Sequence, residues 1–509
     1  ELNVRLICFL SSLCNYGAGA CDSDRRRRRL EDKDSGTVGR EDNDHVAEFY
    51  RNQAEMAASL GICVDIYAIS DQSSSAGLGL DYVKKLVLAT NGTLMLYNST
   101  KRPDCTLPQD LYKRLKAAHA FRGLLRVRMS PEFTPGRVFG QLSRDPAYDE
   151  IIRVPGCSQE QTIALDFQFT STWGFGSGQK PVLQMAFEYS RLEPTRAVSS
   201  PEQHTNDHDK KTNNIDAIQM EMVCRLRVVT VRVSVARSPA ELYRSADKYA
   251  IISHLTTQAL HLSEAGSDLH DVQDMLRDWL VRLGACCFER GESESGERER
   301  AARRVLKDVL PAKKSPRSPS DAKQVGSDGI IECINSKPTL QDIPRLIFAL
   351  RKSSILRPDG LPIDAQVYLQ CLYRTMEPEL LVRGIYPTLS AWKDLQNVSA
   401  NGLLLEKKSV RNDAIYVLDA FSAVIVLYTN EAFNQSIPLP PPHNSPLRKA
   451  IKKLKKERNL LSPRVTYARI GSPEAAYFEC QLIEEANAAG VGYSEFVAAI
   501  AKGVRATMS

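Results

Sequence analysis

Hydrophobic periodicity changes several times along the 509-residue chain. In the first 120 residues, short apolar runs such as "GICVDIYAIS" alternate with helical stretches at 46–60, 80–88 and 108–121, where apolar residues recur three and four apart. The short runs are typical of buried strands and the longer stretches of amphipathic helices. Their alternation predicts an open α/β sheet with helices on its faces over residues 1–122.

From about 123 to 236 the helical period disappears, and strand-like runs such as "TIALDFQFT" and "CRLRVVTVRVSV" follow at short spacing. In the second run, Leu226 and Val228 alternate with Arg225 and Arg227, which indicates half-buried antiparallel strands. This portion is predicted to be a β-sandwich. Its "GFGSGQ" joins strand to strand and opens no helix, so we interpret it as a loop that holds no phosphate.

Helical periodicity returns in "ADKYAIISHLTTQAL", "DVQDMLRDWLVRLGACCF" and "IPRLIFALRKSSIL", which predicts a helical domain over 237–375. A stretch near 290–328 interrupts this domain with charged residues, Ser, Pro and Gly. Such a composition buries too little apolar surface to fold, so we predict a disordered insertion there.

The last portion, 376–509, mixes strands and helices. "GLLLEKKS" and "AIYVLDAFSAVIVLYTNE" each predict one buried strand. Further on, "GSPEAAYFECQLI" predicts a Gly-Ser turn that leads into a strand, with Tyr477 at its start.

Between these strands, "LRKAIKKLKKER" predicts a basic amphipathic helix, since Leu447, Ile451 and Leu454 share one face. Its candidate contact residues are Arg448, Lys449, Lys452, Lys453, Lys455 and Lys456. One interpretation is contact with an acidic membrane surface or an acidic protein. The other is a solvated helix face.

Composition excludes some classes of function but assigns none. The net charge of +6 is small for this length and indicates no particular partner. The five consecutive arginines at 25–29 fit a solvated loop, a nuclear address or a polyanion contact. Twelve cysteines without CxxC pairs indicate reduced thiols in cytosol, and the eight histidines do not cluster with them, so no metal site is predicted in this portion. The longest strongly apolar run, "AFSAVIVLY", is half the length that a membrane-spanning helix needs.

Catalytic motifs such as GxSxG, a GKS or GKT loop and HExxH do not occur, so we predict that the chain is not itself an enzyme.

Six separated stretches, including "GICVDIYAISDQSSSAGLGL", "LIFALRKSSIL" and "GSPEAAYF", resemble in sequence and order the GTPase-activating inner-shell subunit of the coat protein complex II (COPII) vesicle coat. That family is the Sec twenty-three and twenty-four group. The pair Asp71-Gln72 and the "LRKSSIL" helix look more like the activating subunit than like its cargo-selecting paralogue.

The resemblance implies a multidomain α/β plus β protein. Its parts would be a partial von Willebrand A-like trunk at 1–122, a β-sandwich at 123–236, a helical domain at 237–375 and a gelsolin-like domain at 376–509. The family's zinc finger and the first half of its trunk would lie before Glu1, so no cofactor is expected in this portion.

The same resemblance implies the partners. They are the coat small GTPase, the cargo-selecting paralogue in a heterodimer, the outer-coat subunits and, peripherally, the acidic membrane of the endoplasmic reticulum (ER), with no nucleic acid. It also implies a cytoplasmic protein that is peripheral on the ER membrane and on COPII vesicles. The alternative is a divergent von Willebrand A-type interaction scaffold outside the coat.

In this family the turn and strand after a Gly-Ser carry an arginine that reaches the nucleotide site of the GTPase. Alignment on Phe478 places Tyr477 at that arginine's position, so the arginine finger is expected to be missing. Arg469, eight residues earlier, is the possible substitute. The plain structural interpretation of Tyr477 is an aromatic residue that packs at the start of a strand.

Overall fold

A computed structural model of the chain describes residues 3–21, 45–70, 77–101, 105–140, 142–145, 147–148, 150–159, 161–170, 180–194, 220–236, 238–266, 268–287, 334–356, 361–430, 437–458, 461–486 and 490–508. The arginine run at 25–29, the "GFGSGQ" loop at 174–179 and the insertion predicted near 290–328 lie outside these residues. The chain divides into two compact units, Glu1–Ser99 with Arg114–Val235 and Thr100–Lys113 with Ala236–Ser509.

The first unit opens with a parallel sheet. Its strands, in spatial order, are β1 (Val4–Leu10), β2 (Ile62–Ile69) and β3 (Leu94–Tyr97). Two helices alternate with these strands, α1 (His45–Leu60) and α2 (Leu80–Thr90). Alternation of parallel strands with helices is the α/β arrangement that the sequence predicts.

Helix α3 (Leu107–Lys116) is shorter than its prediction, because β4 begins at His119 within the stretch expected to be helical. The β-branched and aromatic residues that follow favour a strand. The division between the two units falls inside α3.

In the part of the first unit that the structure describes, seven strands follow: β4 (His119–Met129), β5 (Phe133–Phe139), β6 (Ser143–Arg144), β7 (Ile151–Ser158), β8 (Ala164–Phe169), β9 (Val182–Pro194) and β10 (Met220–Arg232). They form a five-stranded sheet of order β10-β9-β4-β7-β6 and a two-stranded sheet of β5 and β8. Leu125, Ile152 and Val154 of the larger sheet share one apolar cluster with Val138 and Leu165 of the smaller. The predicted β-sandwich is therefore confirmed.

Strand β10 corrects one prediction. It pairs antiparallel with β9 as expected, but Leu226 is 63% and Val228 is 53% exposed, so the strand is not half-buried there. Among the described strands, β10 has a neighbour on one side only, as an edge strand does.

Among the described residues, the next part of the second unit has six helices: α4 (Pro239–Ser245), α5 (Lys248–Glu264), α6 (269–287), α7 (Ile343–Lys352), α8 (Ile363–Arg374) and α9 (Pro378–Ile385). The side chain of Asp247 accepts hydrogen bonds from the backbone N–H groups of Tyr249 and Ala250 and so caps α5. Helix α7 ends before the "SSIL" of its predicted segment.

The final part is a mixed sheet with three helices. Its strands are β11 (Thr388–Trp392), β12 (Val398–Leu403), β13 (Ile415–Asp419), β14 (Ala423–Tyr428) and β15 (Arg464–Arg469), in the order β12-β11-β13-β14-β15. Strands β14 and β15 are parallel, and the other pairs are antiparallel. The helices are α10 (Pro446–Lys456), α11 (Pro473–Cys480) and α12 (Tyr493–Met508).

Two strand predictions need correction here. The segment "AIYVLDAFSAVIVLYTNE" forms the hairpin of β13 and β14 instead of one strand, and Phe421 turns the chain with a left-handed φ of 61°. Of "GLLLEKKS", the first two residues end β12, and Lys407–Ser409 form a short 3-10 turn. Hydrophobic periodicity alone does not reveal a tight turn that lies within a continuous apolar run.

Helices cover both faces of this sheet. Val424, Val426 and Tyr428 of β14 belong to the cluster that contains Leu447 and Ile451 of α10. The intervening residues, Ile425 and Leu427, belong to the cluster of Ala475 and Phe478 in α11. The alternating side chains of one strand thus pack against two helices on opposite sides.

Candidate functional site

The Gly-Ser turn predicted before Tyr477 is present, but it leads into α11 and not into a strand. Gly471 has φ of 80°, and the Ser472 N–H donates to the Arg469 carbonyl at 3.0 Å. Pro473 occupies the first helical turn, where a missing N–H costs nothing. The Ser-Pro-Glu sequence is a helix-start signal, and it could have corrected the strand prediction.

Tyr477 lies on the outer side of α11, because its neighbours Ala475 and Phe478 are the residues that pack into the sheet. Its side chain is 47% exposed. Partial burial raises the pKa of the Tyr477 phenol, and the charge of Arg464 opposes that rise. At neutral pH the residue therefore presents an uncharged phenol within electrostatic reach of Arg464.

Arg469 lies on the other side of the sheet from α11 by the alternation of β15. Val465 and Tyr467 pack on the α10 side, whereas Ala468 packs on the α11 side. Side chains at odd-numbered positions of β15 point to the α10 side, and Arg469 is one of them. Side chains at even-numbered positions face α11, and Arg464 is one of these. The role of Arg469 as substitute finger stays a prediction, and the strand alternation places Arg464 on the face of the sheet that α11 covers.

Sequence reasoning missed Arg464 because it searched only the turn after the strand. The alternation of side chains along a strand could have indicated it, since residues 464 and 468 of one strand share a face.

The basic helix is present as α10 and begins as predicted. The Ser445 hydroxyl accepts a hydrogen bond from the Arg448 N–H at 3.2 Å, and Pro446 occupies the first turn. Leu447 and Ile451 are buried and Leu454 is half-buried against the sheet. The apolar face proposed for this helix is confirmed.

The six basic residues of α10 fall into two groups. Arg448 is half-buried, with its guanidinium 5.3 Å from the Tyr467 ring centroid and donating to the Tyr467 hydroxyl. The exposed members are Lys449, Lys452, Lys453, Lys455 and Lys456. The outward basic surface is thus made of lysines, which bind anions as compact point charges.

The two candidate sites are separate surfaces. Helix α10 covers one face of the sheet and α11 the other, so Tyr477 and the lysines lie on opposite sides of it. The lysines of α10 therefore cannot supply a cation beside Tyr477.

Two anchors hold the C-terminal end of α10 to α3 within the second unit. Lys113 Nζ donates to the carbonyl oxygens of Arg458 at 2.8 Å and of Lys455 and Leu461 at 3.4 Å. The buried carboxylate of Asp110 accepts the Ser462 N–H at 2.6 Å. Cations are favourable at a helix C-terminus, where free carbonyls carry partial negative charge.

Among the residues that the structure describes, no three or more His, Cys, Asp or Glu side chains are grouped to hold a metal ion. Within the same ranges, no helix combines the length and the apolar character that crossing a bilayer requires.

Two family models match the chain. The Sec23/Sec24 trunk domain matches residues 2–115, and the Sec23/Sec24 helical domain matches residues 247–383. Protein transport protein SEC23 D of Arabidopsis thaliana is 31% identical over 504 residues, which cover 96% of this chain and 61% of that protein. The chain belongs to the Sec23/Sec24 family. The family prediction is therefore confirmed, while the four-part domain division stays a prediction.

Two more distant relatives come from the same family of coat proteins. Protein transport protein SEC24 of Komagataella pastoris is 21% identical over 428 residues, which are 83% of this chain and 37% of that protein. The crystal structure of the human COPII-coat protein Sec24c matches with a TM-score of 0.72 at 16% identity, over 99% of this chain and 59% of that one. This likeness shows the multidomain α/β fold. The chain spans about three fifths or less of the length of these relatives.

Proposed function

We propose that this Sec23/Sec24 family member is a structural subunit of the COPII coat in ER-to-Golgi transport. The observation that carries the proposal is the 31% identity to a protein transport protein over 96% of the chain. The subunit acts by protein contacts, on the cytoplasmic side of the ER membrane and on coated vesicles. Its trunk pairs with the cargo-selecting paralogue, and its final domain contacts outer-coat subunits.

The finer proposal concerns the coat small GTPase, which docks on the turn at Gly471 and on α11. An arginine finger is worth about 10³ to 10⁵ in hydrolysis rate, or about 4 to 7 kcal/mol of barrier. A phenol donates one neutral hydrogen bond, worth about 1 kcal/mol. With Tyr477 at that place, the chain binds the GTPase but accelerates hydrolysis poorly.

The exposed lysines of α10 supply a second contact, to the acidic membrane. This helix carries five exposed lysines. Each lysine near an anionic surface adds about 1 kcal/mol of electrostatic attraction. Because α10 and α11 lie on opposite faces of the sheet, the subunit can touch the membrane and the GTPase at the same time.

Single-turnover GTP hydrolysis by the coat GTPase, with and without the full chain, tests the finer proposal. We expect a small acceleration by the natural chain and a rise of at least about 100-fold with Tyr477→Arg. Arg469→Ala should change nothing, and Arg464→Ala reports whether the cation beside Tyr477 contributes. A strong natural activity that Arg469→Ala abolishes would contradict the proposal and identify Arg469 as the finger.

Co-precipitation tests the coarser proposal. The full chain should retain the coat GTPase and the cargo-selecting paralogue from a cytosolic extract. Retention of neither, by a folded chain, would favour an interaction scaffold outside the coat.

A further inference from the structure

A cavity of about 340 Å³ lies between the start of α3 and the length of α10, within the second unit. Its polar lining includes Thr106 and Gln109 on the α3 side and Arg448, Lys452, Lys455, Ser462 and Tyr467 on the other. The coat function proposed above assigns Lys452 and Lys455 to the outward basic surface of α10, but it requires no cavity.

The cavity is cationic. Arg448, Lys452 and Lys455 line it, and none of the described lining residues is an Asp or a Glu. The nearby carboxylate of Asp110 is buried, where it accepts from the Ser462 N–H at 2.6 Å and from the Thr106 hydroxyl at 2.8 Å, and it is not part of the lining. Three positive charges therefore face the cavity without a lining anion to neutralise them.

The spacing of these cations points to the size of the ligand. Arg448, Lys452 and Lys455 follow one another at intervals of four and three residues, so they form a single stripe along α10. Seven residues of helix span about 10 Å, which is wider than one phosphate group. A ligand that satisfies the whole stripe carries negative charge at two separate points.

The walls are held in place before any ligand arrives. Lys113 fixes α3 to the C-terminal carbonyls of α10, and Asp110 fixes it to Ser462. The Arg448 guanidinium is held over Tyr467. Such preorganisation lowers the entropy cost of binding.

We propose that this cavity binds a small molecule that carries at least two separate phosphate groups. Lysine and arginine at its wall take the phosphates, and Thr106 and Gln109 offer polar groups on the opposite side. The shared chemistry is that of an inositol polyphosphate, which can be soluble or can form the headgroup of a lipid. The inference stands on the cavity alone and does not require the coat function.

Calorimetric titration of the full chain with inositol 1,4,5-trisphosphate tests the binding at fixed ionic strength. The variant Lys452→Gln with Lys455→Gln removes two charges from the cavity. The matched control, Lys449→Gln with Lys453→Gln, removes two charges from the same helix outside the lining. All four lysines are exposed, so both variants should fold, and melting temperatures check this.

We expect the cavity variant to bind at least about 100-fold more weakly and the control to lose no more than about threefold. Gln109→Glu, which adds a carboxylate to the wall, should also abolish binding. Equal losses in the two lysine variants, or no binding by the natural chain, would overturn the proposal.

Vesicle flotation distinguishes the two sources of the ligand. Vesicles with phosphatidylinositol 4,5-bisphosphate are compared with phosphatidylserine vesicles of equal surface charge. A preference for the former that the cavity variant loses assigns a lipid headgroup. Trisphosphate binding without such a preference assigns a soluble ligand.

Discussion

Arg458 and Asp419 form an ion pair in the interior of the second unit, with 1% and 4% of their surfaces exposed. Arg458 follows α10, and Asp419 ends β13. Burial raises the pKa of Asp419 and lowers the pKa of Arg458, so desolvation outweighs the mutual attraction in both. The guanidinium also lies 5.5 Å from the ring centroid of Phe421 in the β13–β14 turn. This pair connects the basic helix to the hairpin.

Removal of one partner of this pair should be more harmful than removal of both. Arg458→Met leaves the Asp419 carboxylate buried with Arg383 at 3.5 Å as a weaker partner. We expect a loss of about 3 to 5 kcal/mol in the free energy of unfolding of the second unit, because an uncompensated buried charge remains.

Denaturant unfolding of Arg458→Met, Asp419→Leu and the double variant measures this effect. The double variant should recover a substantial part of the loss, since hydrophobic replacements remove the desolvation cost of both charges. Strictly additive losses would show that the two residues act independently.

The alternation of strand and helix periods was enough to predict the α/β sheet and the sandwich. Strand β2 illustrates why, because a run such as "ICVDIYAI" is buried on both faces. Hydrophobic periodicity gave wrong predictions where long-range packing decides the structure. The run at 415–428 turns at Phe421, and the apolar residues of β10 stay exposed at a sheet edge.

At the candidate site, the sequence predicted the turn and the basic helix but not their geometry. The sequence pattern places Tyr477 in a strand, whereas the structure places it on α11, where the charge of Arg464 affects the pKa of its phenol. Gln109 and Lys452 line the same cavity although they are more than 300 positions apart in the chain. No local sequence pattern reveals such a contact.

The hydrogen bond from the Ser462 N–H to Asp110 should control how firmly α3 is held. Asp110→Ala leaves that buried N–H without its acceptor, at a cost of about 1 to 3 kcal/mol. Amide hydrogen exchange should accelerate at Ser462 and in α3. Gln109→Ala, one position away, is the control and should leave exchange at Ser462 unchanged.

Gly471 should tolerate asparagine better than alanine. Its φ of 80° is left-handed, and a Cβ there would meet no atom within 4 Å, so the cost is conformational only. We expect Gly471→Ala to lose about 1 to 2 kcal/mol in unfolding free energy and Gly471→Asn less. Equal losses would indicate that the turn requires glycine for a reason other than its φ.

His119 should make the stability of the first unit depend on pH. Its Nε2 is buried and has no hydrogen-bond partner within the described ranges. Burial lowers the pKa of His119 from 6.5 to about 4, with help from the charges of Arg5 and Arg114 and against that of Asp65. The folded unit therefore keeps the ring neutral while the unfolded chain takes up a proton near pH 6.5. Its contribution to stability is complete above that pH and is lost as the pH falls towards 4, by up to about 3 kcal/mol.

Thermal unfolding between pH 7.5 and 4.5 measures this dependence. Other carboxyl groups titrate at the lower end, so the informative quantity is the difference between the natural chain and His119→Leu. That variant should lose less stability between pH 6.5 and 4.5, because the unfolded chain has one proton fewer to bind. If His119→Leu left the pH dependence of stability unchanged, the His119 ring would have to take up its proton in the folded unit as well. The charges of Arg5 and Arg114 would then have to be neutralised near the ring.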